Sequence, residues 1–295
     1  MSSRRKEKFL ALASLDYEGM TTKELRSLCR EVLKEGMHGL CFSPYTEGQK
    51  PGEQLNEEQI RRRMEIIKPY TKWIRSFSCT DGNENIPRIA KEYDIKTLVG
   101  AWLGNDPEVN EKEVNGLIQL ANEGVVDIAV VGNEVMYRGD LTEEDLLHFI
   151  YKVKEAITHI PVGYVDAYYE FTDRPKITEA CDIILANCYP FWEGCDQDYA
   201  ILYMKDMYNR ALRAGRGKKV IVSETGWPSK GTNLEGAYPS LDNFLKYFMS
   251  TQKWSQEEDI EIFYFSSFDE SWKVGSEGDV GAHWGLWDKN EKLKF

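Results

Sequence analysis

Eight short apolar runs, each divided from the next by a stretch with helical periodicity, constrain this chain more than any other feature. The runs fall at residues 37–42, 73–78, 97–102, 125–131, 161–165, 182–187, 219–223 and 260–268. Around them, apolar residues recur at three- and four-residue spacing, as in Leu25, Leu28, Cys29, Val32 and Leu33, or Ile60, Met64 and Ile67. That is the pattern of a helix with one buried face. Helix starts are written as Thr21 with Glu24 three places on, and as Asn56, Thr142 and Ser240. Stops are written as Gly36, Pro69 and Gly124. A helix over 199–214 precedes the seventh run and one from Ser240 to about Trp254 precedes the eighth, while the helical signal after the fifth run is the weakest. Strands that alternate with helices pair in parallel. A run such as VVDIAVV (125–131), apolar at nearly every position, suits a strand covered on both faces. The expected fold class is α/β, a single (β/α)8 TIM barrel over residues 1–295 with 1–20 as an N-terminal extension. An open doubly wound sheet is the alternative. No repeat, low-complexity tract or linker interrupts the pattern.

The composition limits what such a barrel does. Of 295 residues, 42% are apolar, enough for a large core without a metal or disulfide staple. The formal net charge of -12 argues against nucleic acid and against an acidic polymer as partner, and leaves a neutral ligand comfortable. No apolar run is long enough to span a bilayer, so membrane insertion is not expected. The segment MSSRRKEKFLALASL faintly resembles an export signal, but its apolar part is short and Asp16 and Glu18 follow at once; it is not read as one. Six cysteines include no C-x-x-C pair; Cys41, Cys79 and Cys188 lie in or just after strands and read as buried thiols, not as a disulfide framework. The four histidines are scattered, so no metal is expected. With no G-x-G-x-x-G after the first strand and no P-loop sequence, no cofactor is expected either. A monomer is the expected state.

Two runs end in carboxylates. The fourth leads into Gly132-Asn133-Glu134, and the seventh reads VIVSETGWPSKG (220–231), with Glu224 where the strand stops. In a parallel barrel those carboxyl ends face one mouth, where ligands bind. An ionised carboxylate buried there without a partner is very costly, so the bland reading of Glu224 is a permanent salt bridge at a strand end. Arg75 on the second strand is read as a core ion-pair partner that could steady a carboxylate, not as a direct catalyst. Two carboxylates converging on one cleft suit glycoside hydrolysis, one protonating the leaving oxygen while the other attacks the anomeric carbon or activates water. Asn133 offers an amide for a sugar hydroxyl. Aromatic residues at or after strand ends could supply stacking surfaces: Trp102, Phe191, Trp192, Trp227, Trp272 and Trp284. Of these, Trp102 is read as a core plug, and Trp192, Trp227 and Trp272 as sugar platforms. His283 beside Trp284 is read as structural.

The pair Asn133-Glu134 with Glu224-Thr225-Gly226-Trp227-Pro228, 90 residues apart, closely resembles glycoside hydrolase family 17, the β-1,3-glucanases. The segments Asn187-Cys188-Tyr189-Pro190-Phe191 and Phe268-Asp269-Glu270-Ser271-Trp272-Lys273 look like that family's strand-six and strand-eight segments, and the likeness runs from about Gly39 to Trp287. Phe42-Ser43-Pro44-Tyr45 departs from the Tyr-Gly turn usual after strand one. The resemblance implies Glu134 as general acid/base, Glu224 as nucleophile and a retaining double displacement. It also implies that Tyr189 orients Glu224, that Glu270 and Lys273 complete a charged ring around the acid/base, and that Asn133, Tyr45, Phe191, Trp192, Trp227 and Trp272 bind sugar. The implied substrate is laminarin-type β-1,3-glucan, with endo action expected and transglycosylation, exo action or a mixed-linkage glucan as variants. A substrate of that size implies a secreted, periplasmic or cell-surface protein. A non-catalytic glucan-binding protein and a metal-dependent barrel hydrolase are the competing classes; the second lacks ligand clusters in the sequence.

Overall fold

In the computed structural model, which describes residues 17, 19–275 and 277–295, eight parallel strands close into a barrel in chain order. They are β1 Met37–Cys41, β2 Thr71–Ser76, β3 Lys96–Ala101, β4 Ile128–Asn133, β5 Val162–Ala167, β6 Ile183–Asn187, β7 Val220–Thr225 and β8 Ile262–Tyr264. β8 returns to β1 through Gly39↔Phe263 and Leu40↔Tyr264. The expected (β/α)8 barrel stands and the open sheet falls. The expected extension over 1–20, with its signal-like segment, lies outside the described residues apart from 17, 19 and 20.

The helices form where their caps and apolar stripes place them. α1 Thr22–Glu35 opens on Thr21, whose hydroxyl and backbone N–H exchange bonds with Glu24, and it buries Leu25, Cys29 and Leu33. α2 Glu57–Ile67, α4 Pro107–Asn122, α6 Glu143–Ala156, α9 Gln197–Gly215 and α10 Leu241–Glu258 start on Asn56, Asp106, Thr142, Asp196 and Ser240, each side chain accepting a first-turn N–H. α3 Asn85–Glu92 lacks such a cap, and α5 Val135–Arg138 is a single turn. The weak signal after strand five resolves into two short helices, α7 Glu170–Asp173 and α8 Pro175–Ala180, divided where Pro175 cannot donate a backbone hydrogen bond.

No α-helix follows β8 among the described residues; the chain instead makes 3-10 turns at Ser271–Val274 and Gly278–His283. α1, which enters before β1, covers that flank against α10, with the Cys29 thiol on the Leu245 carbonyl at 3.5 Å. Each leucine it hides stabilises the fold by roughly 1.5–3 kcal/mol.

Most strand limits shift by one or two residues from the sequence reading, and the shifts at β4, β7 and β8 bear on the site. β4 starts at Ile128, because the Asp127 side chain leaves the run to accept the Thr97 N–H at 2.9 Å, and it extends to Asn133. β7 runs on to Thr225, which puts Glu224 inside the strand. β8 is only three residues long. The expected continuation over 266–268 pairs with the C-terminal segment instead, Ser266 N–H to the Trp284 carbonyl at 3.1 Å and the Leu286 N–H to the Ser266 carbonyl at 2.9 Å.

Candidate active site

The carboxyl ends of β4, β6 and β7 are irregular, and the irregularities aim the polar side chains. Register shifts fall between Val130 and Asn133 on β4 and between Ala186 and Asn187 on β6, the bulges that commonly re-aim residues at barrel rims. On β4 the shift is carried by Gly132 at φ 85°, and Glu134 beyond it is also left-handed at φ 51°. A glutamate holds that conformation only under constraint. Here its backbone N–H donates to the Val165 carbonyl at 2.8 Å. The α5 turn behind it is pinned as well, with Met136 N–H on the Tyr164 hydroxyl (2.9 Å) and Tyr137 N–H on Asp166 (3.3 Å). At β7, Gly226 is fixed by a close approach: a Cβ there would lie 2.1 Å from the Phe265 carbonyl oxygen. The glycine in Glu-Thr-Gly-Trp-Pro is therefore a packing requirement of the rim.

Glu224 is buried and held on both oxygens. Arg75 donates to Oε1 and the Tyr189 hydroxyl donates to Oε2 at 2.7 Å. Arg75 is itself fully buried. It also donates to the Ser223 carbonyl at 3.0 Å and to Asn133 Oδ1 at 2.6 Å, and its guanidinium lies 4.3 Å over the Phe77 ring. Burial is the largest single influence and opposes the Arg75 charge, but Glu224, by charge and hydrogen bond, together with Cys41 and Tyr189 raises the Arg75 pKa overall. Burial, then the charge of Glu224, raises the Tyr189 phenol well above its usual value, so it stays a donor.

Glu134 is treated differently. Its side chain is partly exposed, and Oε1 accepts one bond, from Asn187 Nδ2 at 2.8 Å. Burial first, and the charge of Glu224 second, push its pKa from 4.5 up to about 7, against the pull of the Asn187 hydrogen bond; Asp166 adds to the rise and Arg138 opposes it. Asn187 stitches the two ends together. Its backbone is the register partner of Glu224, its Oδ1 accepts the Ser223 hydroxyl at 2.8 Å, and its amide nitrogen reaches Glu134. The amide of Asn133, turned by Arg75, keeps Nδ2 without a partner among the described residues.

The structure gathers Glu134, Glu224, Asn133, Tyr189, Glu270 and Lys273 at one rim but redistributes some roles. The Glu270–Lys273 pair, 3.1 Å apart, was expected around Glu134. It lies on the Glu224 side: the charge of Glu224 acts on Lys273, whereas Glu134 feels Glu224, Asp166 and Arg138. Glu270 also accepts the Tyr45 N–H at 3.2 Å. Buried Arg63 holds the carbonyls of Ser43 and Tyr45, so the divergent first loop is a clamped element. Tyr45 is nearly closed to solvent, its hydroxyl on Asn83 and its ring edge-on to Trp272 at 6.0 Å.

Among the aromatics, Trp192 and Trp272 are 40% and 36% exposed, in keeping with platforms. Trp227 and Phe191 are not available as platforms. Both are fully buried, packed on each other at 5.3 Å, and the Trp227 indole N–H donates to the Tyr238 carbonyl at 3.1 Å. Trp284 is buried with them. Trp102, read as a plug, is 39% exposed. Two carboxyl groups near the site were not singled out from the sequence. Asp166, at the end of β5, is raised to about 6, chiefly by burial, and Glu277 is raised to about 7 by burial, with Glu224 and Glu270 adding to it and Lys273 opposing. Asp166 obeys the same strand-end rule that found Glu134 and Glu224; Glu277 follows no strand and had no signal.

The chain is 28% identical over 261 residues to the glucan 1,3-beta-glucosidase of Saccharomyces cerevisiae, spanning 79% of this chain and 82% of that one. A glycoside hydrolase family 17 beta-1,3-glucanosyltransferase from Rhizomucor miehei superposes with a TM-score of 0.79 at 28% identity, over 88% of this chain and 96% of that one; an active-site mutant of it is known in complex with laminaritriose. An endo-laminarinase from Formosa Hel1_33_131 shares the fold at 18% identity and TM-score 0.75, over 90% of this chain and 86% of that one. The model of the BtgE/BtgC glycoside hydrolase domain matches residues 39–285, from β1 through the last 3-10 turn, and by that match the chain belongs to this family, within glycoside hydrolase family 17.

Proposed function

We propose that this glycoside hydrolase cleaves β-1,3-glucosidic bonds in a laminarin-type glucan by a retaining double displacement, with Glu134 as acid/base and Glu224 as nucleophile. The observation that carries the reading is the opposite treatment of the two carboxyls. Glu224 is held by a buried guanidinium and a phenol, a setting that suits an ionised nucleophile. Glu134 is raised to about 7, which suits a group that must hold a proton near neutral pH.

In the first step Glu134 gives its proton to the glycosidic oxygen as Glu224 attacks the anomeric carbon. The bond to the leaving sugar breaks and a glycosyl ester of Glu224 forms. In the second step Glu134 takes a proton from an incoming water, whose oxygen bonds to the anomeric carbon and releases Glu224 as carboxylate. Asn133 Nδ2, the donor left free by the Arg75 contact, is placed to bind a sugar hydroxyl as positive charge develops. The names of the yeast and Rhizomucor relatives support β-1,3-glucan as the substrate.

A second reading keeps the same intermediate but passes the glycosyl group to a sugar hydroxyl. The Rhizomucor relative, a glucanosyltransferase, favours it. Product profiles on laminari-oligosaccharides, with and without added acceptor, decide between the two. Products longer than the donor support transfer, and mixed short products support endo hydrolysis. Absence of turnover on any β-1,3-glucan overturns both. Within either, Glu134→Gln is expected to abolish turnover of glucan while sparing part of the activity on aryl glycosides with good leaving groups; equal loss on both counts against Glu134 as the acid.

A further inference from the structure

Trp102 follows the last residue of β3, whose Ala101 is the register partner of Val131 on β4, so it stands on the rim beside the Asn133-Glu134 turn. An indole that is 39% exposed contributes less to the core than a buried one, yet this one is fixed from two directions. Its backbone N–H donates to Glu113 Oε2 on α4 at 3.0 Å. Glu113 is buried and also accepts Cys79 N–H (2.8 Å), the Ser78 hydroxyl (2.6 Å) and the Thr80 hydroxyl (2.6 Å), so one carboxylate locks the loops after β2 and β3 together. The Arg138 guanidinium lies 4.6 Å over one face of the ring. Arg138 cannot swing away cheaply: it donates to the Asn133 and Leu103 carbonyls and pairs with Asp140 at 2.6 Å. One face of the indole is thus covered by a tethered cation, while 39% of the residue stays open to solvent. The same arginine ties the ring to the peptide that precedes Glu134.

A rigid, exposed, half-covered ring at the mouth of a sugar site is a stacking surface that loses little conformational freedom on binding. We propose that Trp102 is a sugar platform of this site, stacking a glucosyl unit on the leaving-group side of the cleaved bond, the side on which an acceptor sugar would also sit. The assignment of side rests on the reading of Glu134 as proton donor, since the group that protonates the glycosidic oxygen faces the departing sugar. Trp272 with Tyr45, after β8 and β1, lies by contrast with the Glu270–Lys273 pair on the Glu224 side.

The test is binding of laminaribiose and laminarihexaose, measured by calorimetry in a Glu224→Ala parent, with and without Trp102→Ala. The hexaose is expected to lose about tenfold in affinity and the biose clearly less, because one stacked ring is worth about a factor of three to ten. Trp102→Phe should restore most of the lost affinity, which also guards against a variant that merely misfolds. In the enzyme with both carboxyls intact, Trp102→Ala should lower the ratio of transfer to hydrolysis at a given acceptor concentration. Equal loss at both lengths, no loss at either, or an unchanged transfer ratio overturns the platform while leaving the glucan reading in place. A parent that binds neither sugar overturns both.

Discussion

Glu134→Gln should make the protein more stable at alkaline pH and leave its stability nearly unchanged in acid. The folded protein holds Glu134 at about 7 against an ordinary value of 4.5, a rise of about 2.5 pH units. At 1.36 kcal/mol per unit that is at most about 3.4 kcal/mol, spent on keeping an ionised carboxylate in a place that disfavours it. Because the carboxyl retains some contact with water, about half of that is the realistic figure. The sign follows from the direction of the rise. The contribution of the neutral acid is fully present below about pH 4.5 and is lost as the pH climbs through about 7. Glutamine imitates the neutral acid at every pH, and its amide can still present an oxygen to Asn187 Nδ2. Urea unfolding of both proteins should therefore coincide near pH 4.5 and separate by about 2 kcal/mol near pH 8, with a midpoint temperature about 4 °C higher for the variant. A gap that does not change with pH, or a variant less stable than the parent at about pH 8, refutes the claim that the fold raises this acid at its own cost.

Two further perturbations probe the same site. Glu224→Gln removes the negative charge that is the second cause of the Glu134 rise. At the roughly 5.5 Å spacing of a retaining pair and an effective dielectric near 20, that charge is worth about 3 kcal/mol, or about two pH units, reduced by solvent to about one. The Glu134 carboxyl resonance, followed by carbon-13 NMR and assigned by its loss in Glu134→Gln, should then titrate nearer 6 than 7; an unmoved or higher midpoint contradicts the coupling. Arg75→Met leaves Glu224 buried without its cation and Asn133 without its orienting donor, and should cost about 3–5 kcal/mol in urea unfolding. A loss under about 1 kcal/mol would show the pair to be dispensable to the fold.

The barrel was legible because its determinants are local and repeated. Thr21, Asn56, Thr142 and Ser240 cap helices as their residue types dictate. The two glutamates were legible because a carboxylate at a strand end has few cheap places to go, and the same rule, carried one strand further, would have reached Asp166. What the sequence hid depends on packing across the barrel top. Trp227 and Phe191 have the placement of platforms, but they face each other beneath the rim. Trp102 has the placement of a plug, yet Glu113 on the following helix and Arg138 beyond the next strand hold it in the open. Burial of an aromatic is set by its neighbours, and single-residue reading carries no information on them. The limit of β8 was hidden for a related reason: residues 266–268 keep strand-like composition because they do pair, through Ser267 with Cys41 of β1 and otherwise with 284–287.

On the roles proposed above, the electrostatics of the site also account for one glutamate serving as acid and then as base. Glu134 is raised by burial and by the charge of Glu224. The first contribution is constant through a turnover, but the second exists only while Glu224 is ionised. In the proposed intermediate, with Glu224 esterified to a sugar, that residue would carry no charge, its hold on Glu134 would lapse, and the acidity of Glu134 would rise just after it has given up its proton. Glu134 then stays ionised long enough to accept a proton from the incoming hydroxyl. That acceptance restores the proton as the ester breaks and the Glu224 charge returns. Asn187, whose amide bonds Glu134 and whose backbone is in register with Glu224, keeps the two groups at fixed separation through the cycle. The coupling needs no moving part; it needs only that Arg75 and Tyr189 hold Glu224 where its charge is felt.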